Sequence, residues 1–238
     1  KDTDKIFQMV MGWDVDGVIA ISFSKSNCEK IYQLINKPIV SIDAYGELDA
    51  GQENHVLNIG LDDESGGYLM TKYLLECGYE HIQVCAGRDN GVDHFRYMGA
   101  QRAAKEFAGK KQKVQFTALG MNYAKRKESY AWLIQRKKPK TALFFLSDLY
   151  ALEAISFFSS RGVKIPEKIG IAGYDNISYA EFSVPRLTTI SQNVEQKASL
   201  AVEILMERIN GVEKERENQI ELPVTLIPRK SVQPQDEN

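Results

Sequence analysis

KIGIAGYDNISYAEFSVPRLTTISQN, residues 168–193, is the stretch of sequence that decides the fold. Its apolar run at 169–172 lies between Pro166 and Gly173, a pattern typical of a buried parallel strand. A polar loop, 174–176, follows at once. Ligands of open α/β sheets meet the loops at the carboxyl ends of strands, so this loop is a candidate ligand site. Asp-Asn after Gly is also ordinary turn chemistry, and a plain turn is the alternative.

Outward from this stretch, the chain alternates strands and helices almost to its end. Short apolar runs predict strands, and apolar residues at a period near 3.6 predict helices. The strands are predicted at 16–21, 38–42, 57–60, 82–86, 114–119, 142–146, 169–172, 220–222 and 225–227, and the helices at 4–13, 30–36, 62–76, 95–107, 124–137, 149–161 and 194–209. The alternation predicts an α/β fold with parallel sheets covered by helices on both faces. Each half of the fold is expected to take one of the last two strands.

Composition limits the functional classes. The chain has 238 residues and a formal net charge of -2, which fits one large domain or two small ones. Lysine and arginine are scattered among acids, so the chain by itself is not expected to bind DNA. Cys28, Cys77 and Cys85 are odd in number and fall on apolar positions, which favours reduced, buried thiols in a cytoplasmic protein. Neither a secretory signal nor a membrane span is recognisable.

Motifs for catalysis or metal binding are missing from the sequence. It contains no Gly-x-Gly-x-x-Gly turn, no complete phosphate loop and no Gly-x-Ser-x-Gly. Cys-x-x-Cys does not occur, and the three histidines lack ligand spacing. Many acids are present, yet nothing selects a pair for glycoside hydrolysis. We therefore expect a protein without enzymatic activity, cofactor or metal.

A set of motifs in order along the chain resembles the lactose-repressor/galactose-repressor (LacI/GalR) family of bacterial transcription regulators. The resemblance covers essentially the whole sequence, and it is most specific around the Gly-Tyr-Asp-Asn loop. The matching positions are Asp16 to Ile19, Asp62, Gly66, Gly67, Cys77 to Tyr79, Arg96, Gly99, Ser147, Asp148, Ile165, Pro166, Gly170, Gly173 to Asn176, Pro185, Leu187 to Ile190 and Gln192.

The resemblance implies two Rossmann-like lobes of the periplasmic-binding-protein type, with a ligand cleft between them. We expect residues 1–80 and 193–222 to form the N-terminal lobe, and 81–192 and 223–238 the C-terminal lobe, with crossovers near 80, 192 and 223. In the family, a helix-turn-helix headpiece and a further strand, helix and strand precede the segment that starts here. Compared with the family, the first lobe is therefore expected to be truncated at its N-terminal end.

The function that the resemblance implies is effector binding and dimerisation. The small-molecule effector, a sugar or sugar derivative, would modulate the affinity for operator DNA, which is bound through the headpiece absent from this chain. A homodimer is expected, with Met70, Tyr73, Leu74 and Leu48 as contact candidates. The alternative is a periplasmic sugar-binding protein, which shares the two-lobed fold and would carry a secretory peptide upstream.

The candidate polar ligand contacts are Asp175, Arg96, Ser147 and Asp148. The resemblance assigns effector contact to Asp175 and Arg96. A carboxylate accepts hydroxyl hydrogen bonds, and a guanidinium donates to adjacent hydroxyls or to an anion. This mixture favours a sugar over a nucleobase and leaves a phosphosugar open. The alternatives to ligand contact are that Arg96 is a surface cation and that Asp148 caps a helix.

Aromatic residues near the predicted strand ends are candidates for the apolar face on which a sugar ring stacks. They are Tyr174, Phe95, Phe145 and Tyr45. Phe145 is equally compatible with the core, because neighbouring strand residues point to opposite sides. Asp62 and Asp63 also lie at a strand end, where Asp62 would contact ligand or cap the following helix.

Overall fold

The structure is a computed structural model, and it describes residues 3–88, 91–107, 112–212 and 214–235. The helices are α1 Thr3–Gly12, α2 Lys25–Ile35, α3 Asp63–Glu76, α4 Gly91–Phe107, α5 Tyr123–Arg136, α6 Asp148–Ser159, α7 Ser178–Phe182 and α8 Val194–Ile209. The strands are β1 Val18–Ile21, β2 Ile39–Ile42, β3 Leu57–Leu61, β4 His81–Ala86, β5 Lys113–Ala118, β6 Thr141–Phe145, β7 Gly170–Ala172, β8 Thr189–Ser191, β9 Gln219–Leu222 and β10 Thr225–Ile227. The predicted alternation of strands and helices is confirmed.

The chain divides into two units. The first unit consists of Lys1–Asp62 and Asn193–Pro223, and the second of Asp63–Gln192 and Val224–Asn238. Each contains a parallel sheet with helices, so the two-lobed α/β architecture is confirmed.

The first unit is built on a parallel sheet in the order β1-β2-β3-β9. Its central strands β2 and β3 are buried along their whole length, and their polar side chains Ser41 and Asn58 hydrogen bond to each other at 3.0 Å. Helix α2 begins after Ser24, whose hydroxyl accepts a hydrogen bond from the backbone N–H of Asn27 at 3.2 Å. The helix ends at Asn36 in the left-handed conformation.

The second unit contains a parallel sheet in the order β5-β4-β6-β7 and an antiparallel pair, β8 with β10. Strand β6 is fully buried, and its core neighbours include an aromatic cluster of Tyr130, Phe157 and Phe158. With β9 in the first unit and β10 in the second, each half takes one of the last two strands, as predicted.

The predicted boundary near residue 80 is wrong, because the first unit ends at Asp62 and residues 63–80 belong to the second. The physical reason is the packing of α3 against α4. A Cβ atom on Gly67 would overlap the backbone carbonyl of Arg96, and one on Gly99 would overlap that of Glu64. Only glycines allow the two helices to approach this closely. The other two boundaries fall at 192/193 and 223/224, near their predicted positions.

The helix α3 side chains proposed for dimer contact do not all face outward. Met70 and Leu74 have no exposed surface and belong to the interior of the protein. The prediction that they form a dimer interface is wrong, since their apolar surface is already covered within the chain. Tyr73 and Leu48 are partly exposed.

The three cysteines are free and buried, as predicted from their apolar positions. Burial raises the pKa of the Cys85 thiol, and it raises that of Cys28 to about 11. Within the described residues, no helix is long and apolar enough to cross a membrane. The same part of the chain contains no cluster of three or more His, Cys, Asp or Glu side chains that could hold a metal ion.

Candidate functional site

The loop 174–176 lies at the carboxyl end of β7, where the parallel sheet of the second unit presents its loops. Backbone hydrogen bonds tie it to β8, from the N–H of Gly173 to the Thr188 carbonyl and from the N–H of Asp175 to the Ile190 carbonyl, both 2.9 Å. Ser147 follows β6 at the same edge. The predicted position of the loop is therefore confirmed, and it places the candidate polar side chains in one neighbourhood.

Asp175 is held in a conformation that L-residues rarely adopt. Its φ is +118° and that of Asn176 is +54°. Such backbone strain persists only where surrounding contacts determine it, and it is frequent at ligand-binding loops. The Asp175 carboxylate accepts hydrogen bonds from the Ser147 hydroxyl at 3.0 Å and the Gln192 amide at 2.5 Å. Burial raises the pKa of Asp175, although Arg96 and the hydrogen-bond donors act in the opposite direction.

Arg96 is the second charged group, and it is buried rather than a surface cation. Only 7% of the residue is exposed. Its Nε donates to Asp63 Oδ1 at 2.8 Å and its Nη1 to the Leu146 carbonyl at 2.8 Å. The guanidinium lies 3.7 Å from the centroid of the Tyr174 ring, a cation–π contact. Burial lowers the pKa of Arg96, but Asp63, Tyr174 and Asp175 together raise it, so the side chain stays charged.

Asp148 is a buried residue next to the loop 174–176. It has no exposed surface, and its carboxylate accepts hydrogen bonds from the Thr189 hydroxyl at 2.6 Å and the backbone N–H of Ile177 at 3.0 Å. Burial, with repulsion from Asp175, raises its pKa to about 7, although these hydrogen bonds and Arg229 lower it. Both carboxylate oxygens are thus engaged inside the protein. The expected ligand contact of Asp148 does not fit this burial, and the alternative of a simple cap does not fit either, since α6 is N-capped at Ser147.

The aromatic candidates separate into buried and exposed residues. Phe145 has no exposed surface and packs edge-on against Tyr130, so it belongs to the core. Tyr174 is also fully buried, because Arg96 covers its ring and its hydroxyl donates to Asp63 at 3.2 Å. Neither ring is available as a stacking platform for a ligand.

Two predicted contacts lie in the first unit. Tyr45 is 54% exposed there, and Asp62 is the unit's last residue before the chain enters the second. Helix α3 begins one residue later, at Asp63. Phe95 is on α4 in the second unit, and it is 53% exposed.

Three further residues contact Arg96, Asp175 or the loop 174–176: Asp63, expected only to lie at a strand end, and Gln192 and Arg229, for which no site role was expected. Asp63 binds both Arg96 and Tyr174, and Gln192 donates to Asp175. Arg229 donates to the Asn176 side chain and to the Leu187 carbonyl, both at 2.8 Å. Gln192 was visible as a motif position. The role of Arg229 could not be predicted from its neighbours, because its partner Asn176 lies far away along the chain.

The cluster has the chemistry of a binding site. Arg96 supplies hydrogen-bond donors, Asp175 supplies acceptors, and Ser147 supplies both. Each is fixed by other protein groups, so the arrangement exists before a ligand arrives. Hydroxyl groups on adjacent carbons match this combination of donors and acceptors.

Comparison with known proteins gives consistent matches. A model of the periplasmic binding protein-like domain family matches residues 71–232. The HTH-type transcriptional repressor PurR of Pasteurella multocida is 33% identical, over 94% of this chain and 66% of its own length. PurR of Haemophilus influenzae is 35% identical, over 72% of this chain and 53% of its own. The chain thus spans from about half to about two thirds of the length of these curated relatives.

Solved structures agree with the sequence matches. A LacI family transcriptional regulator from Enterococcus faecium with bound ribose superposes with a TM-score of 0.83 at 25% identity, covering 99% of this chain and 86% of that one. The lac repressor dimer bound to operator and the anti-inducer ONPF gives a TM-score of 0.77 over 98% of this chain and 80% of that one; at 19% identity it supports the fold alone. The chain therefore belongs to the periplasmic-binding-protein-like domain family, in the form that LacI-type transcription regulators carry as their effector-binding domain.

Proposed function

We propose that this chain is the effector-binding and dimerisation region of a cytoplasmic LacI/GalR-like regulator, and that Arg96 and Asp175 bind a neutral sugar. The observation that carries the proposal is the fixed placement of these two groups. Arg96 is held by Asp63 and the Leu146 carbonyl, and Asp175 by Ser147 and Gln192. Ordering side chains on binding costs free energy, so groups ordered in advance bind more tightly.

The charge balance of the cluster favours a neutral ligand over a phosphosugar. Three carboxylates accompany Arg96: Asp63 at 2.8 Å, Asp93 at 3.8 Å, and Asp175, which is close enough to shift its pKa. An added anion would meet one cation and three anions. A neutral polyol avoids that repulsion, and it can accept from the guanidinium while donating to Asp175.

Two of the similar solved structures support a sugar as the ligand class. The Enterococcus faecium regulator was solved with bound ribose, and a periplasmic binding protein/LacI transcriptional regulator from Alkaliphilus metalliredigens with D-xylulofuranose. These ligands belong to those proteins. For this chain they favour a sugar over a nucleobase, in line with the hydroxyl-matching chemistry of Asp175 and Arg96.

At the level of the whole protein, we propose a homodimer that binds operator DNA through a headpiece outside this chain. An effector changes DNA affinity only by as much as it prefers one conformation over another. Because the curated relatives are named as transcriptional repressors, a regulator is favoured over a periplasmic transport protein and over an enzyme.

The test of the site is isothermal titration calorimetry with ribose and a panel of neutral sugars on the Asp175→Asn variant. Replacing a charged acceptor by a neutral amide removes charge-assisted hydrogen bonds, so the affinity is expected to fall by about 1.5–3 kcal/mol, roughly tenfold to a hundredfold. Circular dichroism verifies that the variant is folded.

The matched control is Glu181→Gln, which removes one negative charge from the exposed surface of α7 in the same unit. It is expected to bind the sugar as the unaltered chain does. Equal affinities for the unaltered chain and the Asp175→Asn variant would refute the assignment of Asp175. Binding confined to nucleobases would refute the sugar.

A further inference from the structure

A cavity lies at the amino-terminal edge of the sheet in the second unit, opposite the edge that carries the Asp175 loop. Its volume is about 320 Å³. His81, Lys113 and Thr141 line it, and they are the first residues of β4, β5 and β6. The Asp175 loop stands at the carboxyl ends of the strands, so this cavity, at their amino ends, is separate from the candidate effector site.

The cavity lining is strongly basic. Besides His81 and Lys113, it includes Arg136, Lys137 and Lys138 from the end of α5 and the turn after it. Among the described residues that line the cavity, none is an Asp or a Glu. Lys113, Arg136, Lys137 and Lys138 therefore place four full positive charges around a small volume, with no carboxylate in the part of its wall that the structure describes.

One side of the cavity offers an apolar, flat surface. The Trp132 side chain is partly exposed at the wall beside the buried Leu133. The Arg136 guanidinium lies 5.1 Å from the centroid of the Trp132 ring, a cation–π contact that orients both groups. Gln83 and Gln115 line the same cavity on neighbouring strands and hydrogen bond to each other at 3.3 Å, which adds polar partners.

We propose that this cavity binds a small phosphate monoester, with the phosphate against Lys113, Lys138 and Arg136 and the organic part against Trp132. A phosphate dianion presents several acceptor oxygens to lysine and guanidinium donors. The volume is at the lower end of the range for small-molecule sites, which fits a metabolite rather than a polymer.

The lowered pKa of His81 agrees with an excess of positive charge around the cavity. Burial lowers the pKa of His81, and Lys138 and Lys113 lower it further, while Glu80 acts in the opposite direction. Glu80 is engaged by Lys140 at 3.5 Å. A bound dianion would offset the repulsion from the two lysines, so it would raise the pKa of His81.

The experiment uses the fluorescence of Trp132 in a Trp13→Phe background, because these are the two tryptophans of the chain. Phenyl phosphate is the probe, since it carries a monoester and a ring but no sugar hydroxyls for the Asp175 site. Inorganic phosphate and phenol are the two partial ligands. We expect saturable binding of phenyl phosphate below about 1 mM, with inorganic phosphate and phenol each weaker.

Charge variants separate this site from a general attraction of anions. Lys113→Gln with Lys138→Gln is expected to weaken phenyl phosphate binding at least about tenfold. Lys127→Gln is the control, because Lys127 is exposed on the same helix as Trp132 and does not line the cavity. As a second readout, the NMR-titrated pKa of His81 should rise when phenyl phosphate saturates the protein.

Three results would overturn the proposal. One is the lack of a saturable signal up to about 1 mM. Another is equal weakening by the Lys127→Gln control and the double variant, which would mean that only surface charge matters. The third is inorganic phosphate binding as tightly as phenyl phosphate, which would exclude Trp132 from recognition.

Discussion

Asp148→Asn tests whether the buried carboxyl under the Asp175 loop is protonated in the folded protein near neutral pH. An asparagine side chain has the size of a protonated aspartic acid. Its oxygen can accept from the backbone N–H of Ile177, and its amide can donate to the Thr189 hydroxyl, so it can keep both contacts of Asp148. The variant therefore removes the titration while preserving the local packing.

The expected effect is a pH-dependent gain in stability. The pKa of Asp148 is raised from 3.8 to about 7 on folding, mainly by burial, while repulsion from Asp175 adds to the shift. A folded state that binds this proton more tightly than the unfolded state is most stabilised below pH 3.8, and it loses that contribution as the pH rises through about 7. At 1.36 kcal/mol per pH unit, the loss is about 4 kcal/mol across this interval.

Urea unfolding between acidic and mildly alkaline pH gives the measurement, followed by Trp132 fluorescence in the Trp13→Phe background so that the second unit is observed. Both proteins share every other titrating group, so the difference in their free energies of unfolding reports the titration of Asp148 together with its coupling to Asp175. Near pH 4 the two should be similar, and above pH 7 the variant should be more stable by up to about 4 kcal/mol. A difference independent of pH, or one favouring the unaltered protein as pH rises, would show that Asp148 is ionised in the fold.

Two further predictions concern the packing around Arg96. Asp63→Ala removes the carboxylate nearest to the buried Arg96 cation, and it should destabilise the second unit by about 3–5 kcal/mol in urea unfolding. Glu64→Ala removes the partner of the exposed Arg102 and should cost less than about 1 kcal/mol. Similar costs for the two variants would contradict the buried pair. Gly67→Ala places a methyl group against the Arg96 carbonyl and should lower the free energy of unfolding by about 1–3 kcal/mol. Gly12→Ala is the control and should have little effect, because the space around its Cβ position is open. An unchanged stability of the Gly67→Ala protein would mean that α3 can move freely.

The elements and the position of the loop were predictable because their signals are local. Strand β6, expected at 142–146, is a continuous apolar run and appears at Thr141–Phe145. The loop after β7 follows from Gly173 and the polar residues behind it, and parallel strand order then places it at the carboxyl edge. These inferences need only the periodicity of neighbouring residues and the rules of sheet topology.

The burial of individual site residues was not predictable in the same way. Tyr174 lies in the loop and Asp148 lies next to it, and a sequence pattern cannot distinguish a side chain that faces a ligand there from one that faces the protein. Their orientation is decided by partners far along the chain, Asp63 for Tyr174 and Thr189 for Asp148. The boundary near residue 80 failed for a related reason, since the contact of α3 with α4 is long-range.

One part of that long-range packing does have a sequence signal, in the spacing of Asp63, Gly66 and Gly67. Residues at i, i+3 and i+4 share one face of a helix, so the three lie together on α3. A Cβ atom on Gly66 would overlap the Tyr174 hydroxyl, and one on Gly67 the Arg96 carbonyl. Because Gly66 and Gly67 lack side chains, Tyr174 and Arg96 can approach α3. Asp63, one turn earlier, hydrogen bonds to both. The spacing marks this face of α3, but Asp62 also stands four residues before Gly66, so it is the hydrogen bonds that identify Asp63 as the carboxylate that positions Arg96.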